Sequence, residues 1–173
     1  MVMAWQGRRR PPDADPVAGR VLTDPLPTIE RMALSVEERQ DFLAEPRIGA
    51  LSVMERPDRA PLTVPIWYQY TPGGELWVLT APDARKTRAI DAAGRFSLMV
   101  QRTEPTIRYV SVEGPVIRTA ASSNERSWEM AARYLPPEKV ADYVEYERSQ
   151  LGEHIAVYMR PERWLSTDLG PAL

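Results

Sequence analysis

Thr80, Arg85, Lys86 and Arg88 are the residues of this chain whose types and spacing best suit chemistry. They fall in the run Thr80-Ala81-Pro82-Asp83-Ala84-Arg85-Lys86-Thr87-Arg88, where a predicted strand ends in a threonine and a proline opens a predicted helix. Proline suits a first helical turn, because the N–H it lacks would go unbonded there in any case. The unbonded N–H groups of a helix start, a hydroxyl and several cations together form a pocket for an anion, most naturally phosphate. The same run also reads as a solvated basic helix face that Asp83 and Asp91 partly neutralise.

Other chemistries find little material. With no cysteine there is no disulfide framework, zinc finger, thiol nucleophile or iron–sulfur cluster, and a reducing cytoplasm is the expected location. One histidine, His154, rules out a multi-histidine metal site and leaves a catalytic triad a single candidate base. It sits on a predicted strand with Ile155, Val157 and Met159, and reads as structural or exposed rather than as a general acid or a haem ligand. The carboxylates between Glu125 and Glu153 read as the solvent faces of two helices. A net charge of -2 gives no reason to expect nucleic acid or an anionic membrane as partner. No stretch has the roughly 20 apolar residues a membrane span needs, and no secretory signal is visible.

The elements that must position these residues can be read in order. Residues 1–31 hold five prolines and no apolar period, the signature of a flexible N-terminal arm. Trp5, Leu22 and Leu26 leave open an arm that wraps a partner subunit. A single domain spans 32–173. Ser35 and Glu38 have capping-box spacing and predict a short helix that stops before Pro46. Ile48–Val53 predicts a strand, and Leu62–Tyr70 alternates as a second, with Pro65 marking a break in its ladder. Glu75–Thr80 completes a hairpin, and the helix expected over Ala81–Ala93 stops at Gly94. Phe96–Gln101 and Arg108–Arg118 are further strands, the latter bent at Gly114-Pro115. Two helices follow, around Trp128–Leu135 and from Pro137 onward, then a last strand, His154–Arg160. About six strands with helices inserted favour an antiparallel barrel or meander over a doubly wound parallel sheet.

Five pieces, in this order and spacing, make the chain similar to a known family. They are Val64–Tyr68 (VPIWY), Leu79–Lys86 (LT-x4-RK), Arg95–Gln101 (RFSLMVQ), Arg108–Val116 (RYVSVEGPV) and Arg160–Trp164 (RPERW). The chain resembles the split β-barrel flavin and deazaflavin oxidoreductases, the pyridoxamine 5'-phosphate oxidase-like superfamily, from about Leu34 to Asp168. The resemblance implies a mainly β fold, a six-stranded antiparallel Greek-key split β-barrel with peripheral helices. It implies a homodimer with flavin-type cofactors between subunits: the deazaflavin coenzyme (coenzyme F-420) or FMN. Thr80, Arg85 and Lys86 match the family's phosphate grip, and Val64, Pro65, Ile66 and Trp67 its strand along the cofactor ring. Tyr109 and Trp164 match positions that reach the cofactor from the partner subunit. Arg88 and Arg95 are the added cations that a polyglutamate-tailed deazaflavin would use.

Departures narrow the implied role. Leu62–Trp67 carries no basic residue, Ala84 stands where the grip usually has serine, and no Arg-x-His element follows Trp164. The resemblance therefore points away from vitamin B6 chemistry. It points toward hydride transfer to a small unsaturated or aromatic substrate, with Tyr68, Tyr109 or solvent as proton donor. The alternative on the same fold is a protein that stores or senses flavin, deazaflavin or haem without turnover.

Overall fold

The computed structural model describes residues 32–170, so the N-terminal arm expected over 1–31 lies outside the described residues. Helix α1 (Val36–Ala44) opens on the expected capping box. The Ser35 hydroxyl accepts the Glu38 N–H at 3.2 Å, and the Glu38 carboxylate accepts the Ser35 N–H at 2.8 Å. Strands β1 (Gly49–Val53), β2 (Leu62–Ile66), β3 (Tyr68–Tyr70) and β4 (Leu76–Thr80) follow, then helix α2 (Arg85–Ala93). Strands β5 (Arg95–Arg102) and β6 (Arg108–Ala121) lead to helices α3 (Asn124–Tyr134) and α4 (Pro137–Tyr146). A π-helical turn (Glu147–Leu151) and strands β7 (Ile155–Met159) and β8 (Arg163–Asp168) complete the described fold.

The sheet runs in the order β2-β1-β5-β6-β7-β4-β3, with β8 added on β6, and every pairing is antiparallel. Its two end strands, β2 and β3, are separated in sequence only by Trp67. A sheet whose ends are joined through one residue must curl, and the result is the expected split barrel with helices at its periphery. Alternation fills it: Ile66, Tyr68 and Tyr70 are buried while Thr63 and Pro65 are exposed. Leu51, Leu98, Val110, Val112, Leu76 and Val157 meet these residues in one core.

Three expectations are corrected. The strands number eight rather than six, because the second strand divides in two and β8 was not foreseen. The division falls at Trp67, not at Pro65, which stays in register opposite Ala50. Strand β2 ends the pairing path, and a strand with one partner needs no donor on its far side. Helix α2 begins at Arg85 instead of at Pro82, which lies in the turn before it.

Strand β6 does the most joining. Its first half pairs with β5 and β8 and its second half with β7, the register shifting between Val116 and Arg118, just past the expected bend. Gly114 lets the β7–β8 connection cross it, since a Cβ there would lie 1.8 Å from the Arg160 carbonyl oxygen. Overlap of that kind with backbone cannot be relieved by a rotamer change. Gly114→Ala is expected to cost about 3 kcal/mol or more. Urea unfolding of the variant beside the parent chain measures it.

Candidate functional site

The run expected to bind an anion lies at the start of α2. Thr80 ends β4 with 2% of its surface exposed, and its hydroxyl lies 3.0 Å from that of Thr87. Thr87 in turn donates to the Ala81 carbonyl at 2.8 Å. The two hydroxyls brace the Ala81–Ala84 turn from inside, so Thr80 holds the cradle's shape and turns its own oxygen away from solvent. Ala84 is the N-cap and offers no side-chain hydrogen bond. The first N–H groups of α2 therefore keep their donor capacity, with the positive end of the helix dipole behind them.

The cations around this turn differ in what already holds them. Arg85 grips Glu55 through two bonds, 2.6 and 2.5 Å, and the guanidinium keeps the Glu55 carboxyl below the usual carboxylate range. Arg88 donates to the Asp83 carbonyl. Lys86 makes no ion pair or side-chain hydrogen bond with the described residues, which leaves its ammonium available. Arg95 begins β5 just past the opposite end of α2, about 14 Å along the axis at 1.5 Å per residue. It does not join the cradle; with Glu55, Ser97 and Glu113 it lines a separate cleft of 490 Å³.

The strand expected to run along a cofactor ring borders a cavity of 290 Å³. Pro65, Ile66 and Trp67 line it, joined by Leu79, Met130 and Tyr143, while Val64 packs toward the core. Trp67 is fixed by stacking on Tyr134, ring centroids 4.8 Å apart, and by a tilted contact with Tyr143 at 5.1 Å. The Tyr134 hydroxyl accepts the Tyr68 N–H at 3.0 Å and lies 2.9 and 3.1 Å from the Tyr68 and Arg47 carbonyls. One side chain thus satisfies the backbone where β2 and β3 part.

Two other expected residues lie elsewhere. Trp164 on β8 packs edge-on against Tyr70 at 6.1 Å, with the Arg39 guanidinium 4.9 Å from its ring centroid. Tyr109 sits half-buried on β6 between Gln101 and Thr167. Neither lines the Trp67 cavity within one chain. Tyr68 is unsuited to donate protons: its buried hydroxyl donates to the Leu43 carbonyl at 2.8 Å, and burial pushes its pKa upward. Glu147 and His154, which the sequence reading did not place at a site, also line the Trp67 cavity. The signal was the Leu151-Gly152 break just ahead of the last predicted strand. Among the described residues no group of acidic and histidine side chains is arranged to hold a metal, and no helix is long and apolar enough to cross a membrane.

The family model for pyridoxamine 5'-phosphate oxidase matches residues 35–168. The chain belongs to that family. Among curated proteins none matches it. A solved structure of a conserved hypothetical protein from Mycobacterium tuberculosis is similar at 23% identity, covering 79% of this chain and 86% of that one, TM-score 0.59. An F420 reductase is similar at 22% identity, covering 73% and 94%, TM-score 0.57. A FAD-binding protein from Mesorhizobium loti is similar at 18% identity, covering 79% and 94%, TM-score 0.52. At these identities the likeness supports the split-barrel fold.

Removing the Tyr134 hydroxyl tests the geometry at the strand division. Tyr134→Phe keeps the stack on Trp67 but strands a part-buried N–H. It is expected to lower stability by about 1–3 kcal/mol, read from denaturant midpoints.

Proposed function

We propose that this chain is an oxidoreductase that binds a flavin-type cofactor, the deazaflavin coenzyme (coenzyme F-420) or FMN. It would serve hydride transfer to a small unsaturated or aromatic organic substrate in the cytoplasm. The observation that carries the reading is the uncapped start of α2 with Lys86 unpaired beside it. A phosphate there would meet helix N–H groups and an ammonium, with Arg85 available by exchange from Glu55. When bound, such a cofactor supplies the hydride chemistry. What this chain would supply is the grip on its phosphate, a strand at Pro65–Trp67 to orient the ring, and a cavity walled by Trp67, Leu79, Met130 and Tyr143 beside it.

The same reading includes a homodimer. One row of side chains crosses five neighbouring strands on one sheet face: Pro65, Ala50, Met99, Ser111 and Leu165. None of the five is buried, and Leu165 is 61% exposed. Small and apolar residues in one row suit a second copy of the same face, and Pro65 brings the ring strand to its border.

Two measurements check these points. Lys86→Ala is expected to weaken FMN or deazaflavin binding by about 1.5–3 kcal/mol, the scale of one charge-assisted contact. Fluorescence titration reads it, and unchanged affinity removes Lys86 from the grip. Leu165→Glu is expected to convert a dimer to the 19.6 kDa monomer in light scattering. A parent chain that is itself monomeric overturns the dimer.

A further inference from the structure

Between β1 and β2 the chain runs through residues 54–61, and of these only Glu55 is not exposed. The segment folds on itself. Arg56 grips Asp58 through two bonds of 2.9 Å, and the Arg59 N–H donates to the Arg56 carbonyl at 3.3 Å. Pro57 and Pro61 have no N–H to give. Toward the rest of the chain the segment has one polar tie among the described residues. It is the pair of bonds, 2.6 and 2.5 Å, that Arg85 donates to the Glu55 carboxylate. A loop with little buried surface and few hydrogen bonds opens at small cost, so this one tie decides where it rests.

The tie joins two places in the fold. Arg85 is the first residue of α2, beside its uncapped N–H groups. Met54, Glu55, Arg56, Pro57 and Pro61 supply part of the lining of the 490 Å³ cleft, whose shape therefore depends on where the loop sits. The pair is well formed but cheap to break. The Arg85 side chain is 61% exposed, and ion pairs open to water contribute little because water solvates both charges when they part. A phosphate that also takes the first N–H groups of α2 has partners that the Glu55 carboxylate lacks.

We propose that the Arg85–Glu55 pair is a latch, holding the 54–61 loop to the start of α2 until a phosphate draws Arg85 away. Release of Glu55 then frees the loop and reshapes the 490 Å³ cleft. Phosphate as the trigger rests on the proposed function; the tie between the pair and the loop does not. Glu55 is thereby an internal competitor for the anion. The coupling runs both ways, since whatever lifts the loop also frees Arg85 for the phosphate.

Trypsin reads the loop directly, because it cuts after arginine except before proline. Arg56 precedes Pro57, which leaves Arg59–Ala60 as the segment's one cleavable bond. The full chain is digested in its native state, and mass spectrometry times that cut against the other tryptic bonds. Cleavage of this kind tracks the population of the open loop. Arg85→Ala and Glu55→Gln are each expected to speed the cut about three- to fivefold, the scale of an exposed ion pair. Saturating FMN or inorganic phosphate should speed it similarly in the parent chain and add nothing in Glu55→Gln. That variant should also bind either anion about three- to fivefold more tightly, by the same linkage. Bound ligands ordinarily protect a chain, so faster cutting at one bond is a specific signature. If neither variant speeds the cut, the latch is overturned. An anion that binds without speeding it overturns the exchange. Inorganic phosphate that frees the loop while FMN does not bind sinks the flavin reading and leaves the latch standing. If neither anion binds and the variants still loosen the loop, the tie stands and the phosphate trigger falls with the flavin reading.

Discussion

Everything in this fold turns on how the backbone is satisfied where β2 and β3 part at Trp67. A strand that leaves one partner for another exposes N–H and C=O groups that no ladder completes, and burying them unpaired costs about 1–3 kcal/mol each. The Tyr134 hydroxyl does what the missing strand would have done, taking the Tyr68 N–H and lying within reach of two carbonyls. It can do so only because α3 is held down by other means. Arg133 donates to the Leu43 and Glu45 carbonyls at the C-terminal end of α1, and Gln69 donates to the Glu129 carbonyl. The helices beside the barrel are thus tied to its split.

That arrangement also explains where the cavity comes from. With Tyr134 occupying the split, Trp67 is stacked flat against it and held aside by Tyr143 from α4. The aromatic wall is fixed before any ligand arrives, which lowers the ordering cost of binding against it. The π turn that follows α4 then brings Glu147 to the same cavity, and the Gly152 turn brings His154. The polar groups of the cavity come from one short segment, and the apolar ones from β2, β4 and the two helices.

Much of this was legible in the sequence, and the failures have physical reasons. The capping box, the period-two run through Leu62–Tyr70 and the stop at Gly94 are local signals, and local signals appear as expected. The break at Trp67 has no local signal, because the group that completes the backbone there is a tyrosine hydroxyl 66 residues from Tyr68. Proline at position 65 drew attention to the right strand for the wrong residue. Strand β8 escaped notice because its burial does not alternate: Ser166 and Thr167 are both buried and Leu165 is exposed. What fixes β8 is its pairing with β6 and the grip of Arg108 on Asp168, 2.5 and 2.8 Å, which is a long-range contact. His154 lies just ahead of β7 rather than in it, and its one hydrogen-bond contact, the Gly152 carbonyl, comes from the turn before the strand.

The chain treats its helix starts differently. Ser35 caps α1 and Ser123 caps α3, while α4 opens on Pro136-Pro137, whose rings remove donors that would need a partner. Only α2, among the described helices, begins with its donors intact and no side chain to take them. Forgoing a serine or aspartate cap there gives up about 1 kcal/mol of helix stability. A negative side chain at the N-cap would stabilise the helix but would repel an incoming phosphate and compete for the same N–H groups. Two buried threonine hydroxyls hold the turn instead, from the core side, so the cradle is rigid without being filled. Arg85 already carries a carboxylate in Glu55, which a phosphate could displace, and Lys86 carries none. In the proposed phosphate grip the two cations would have distinct parts: Lys86 would supply attraction that needs no exchange, and Arg85 would trade one anion for another.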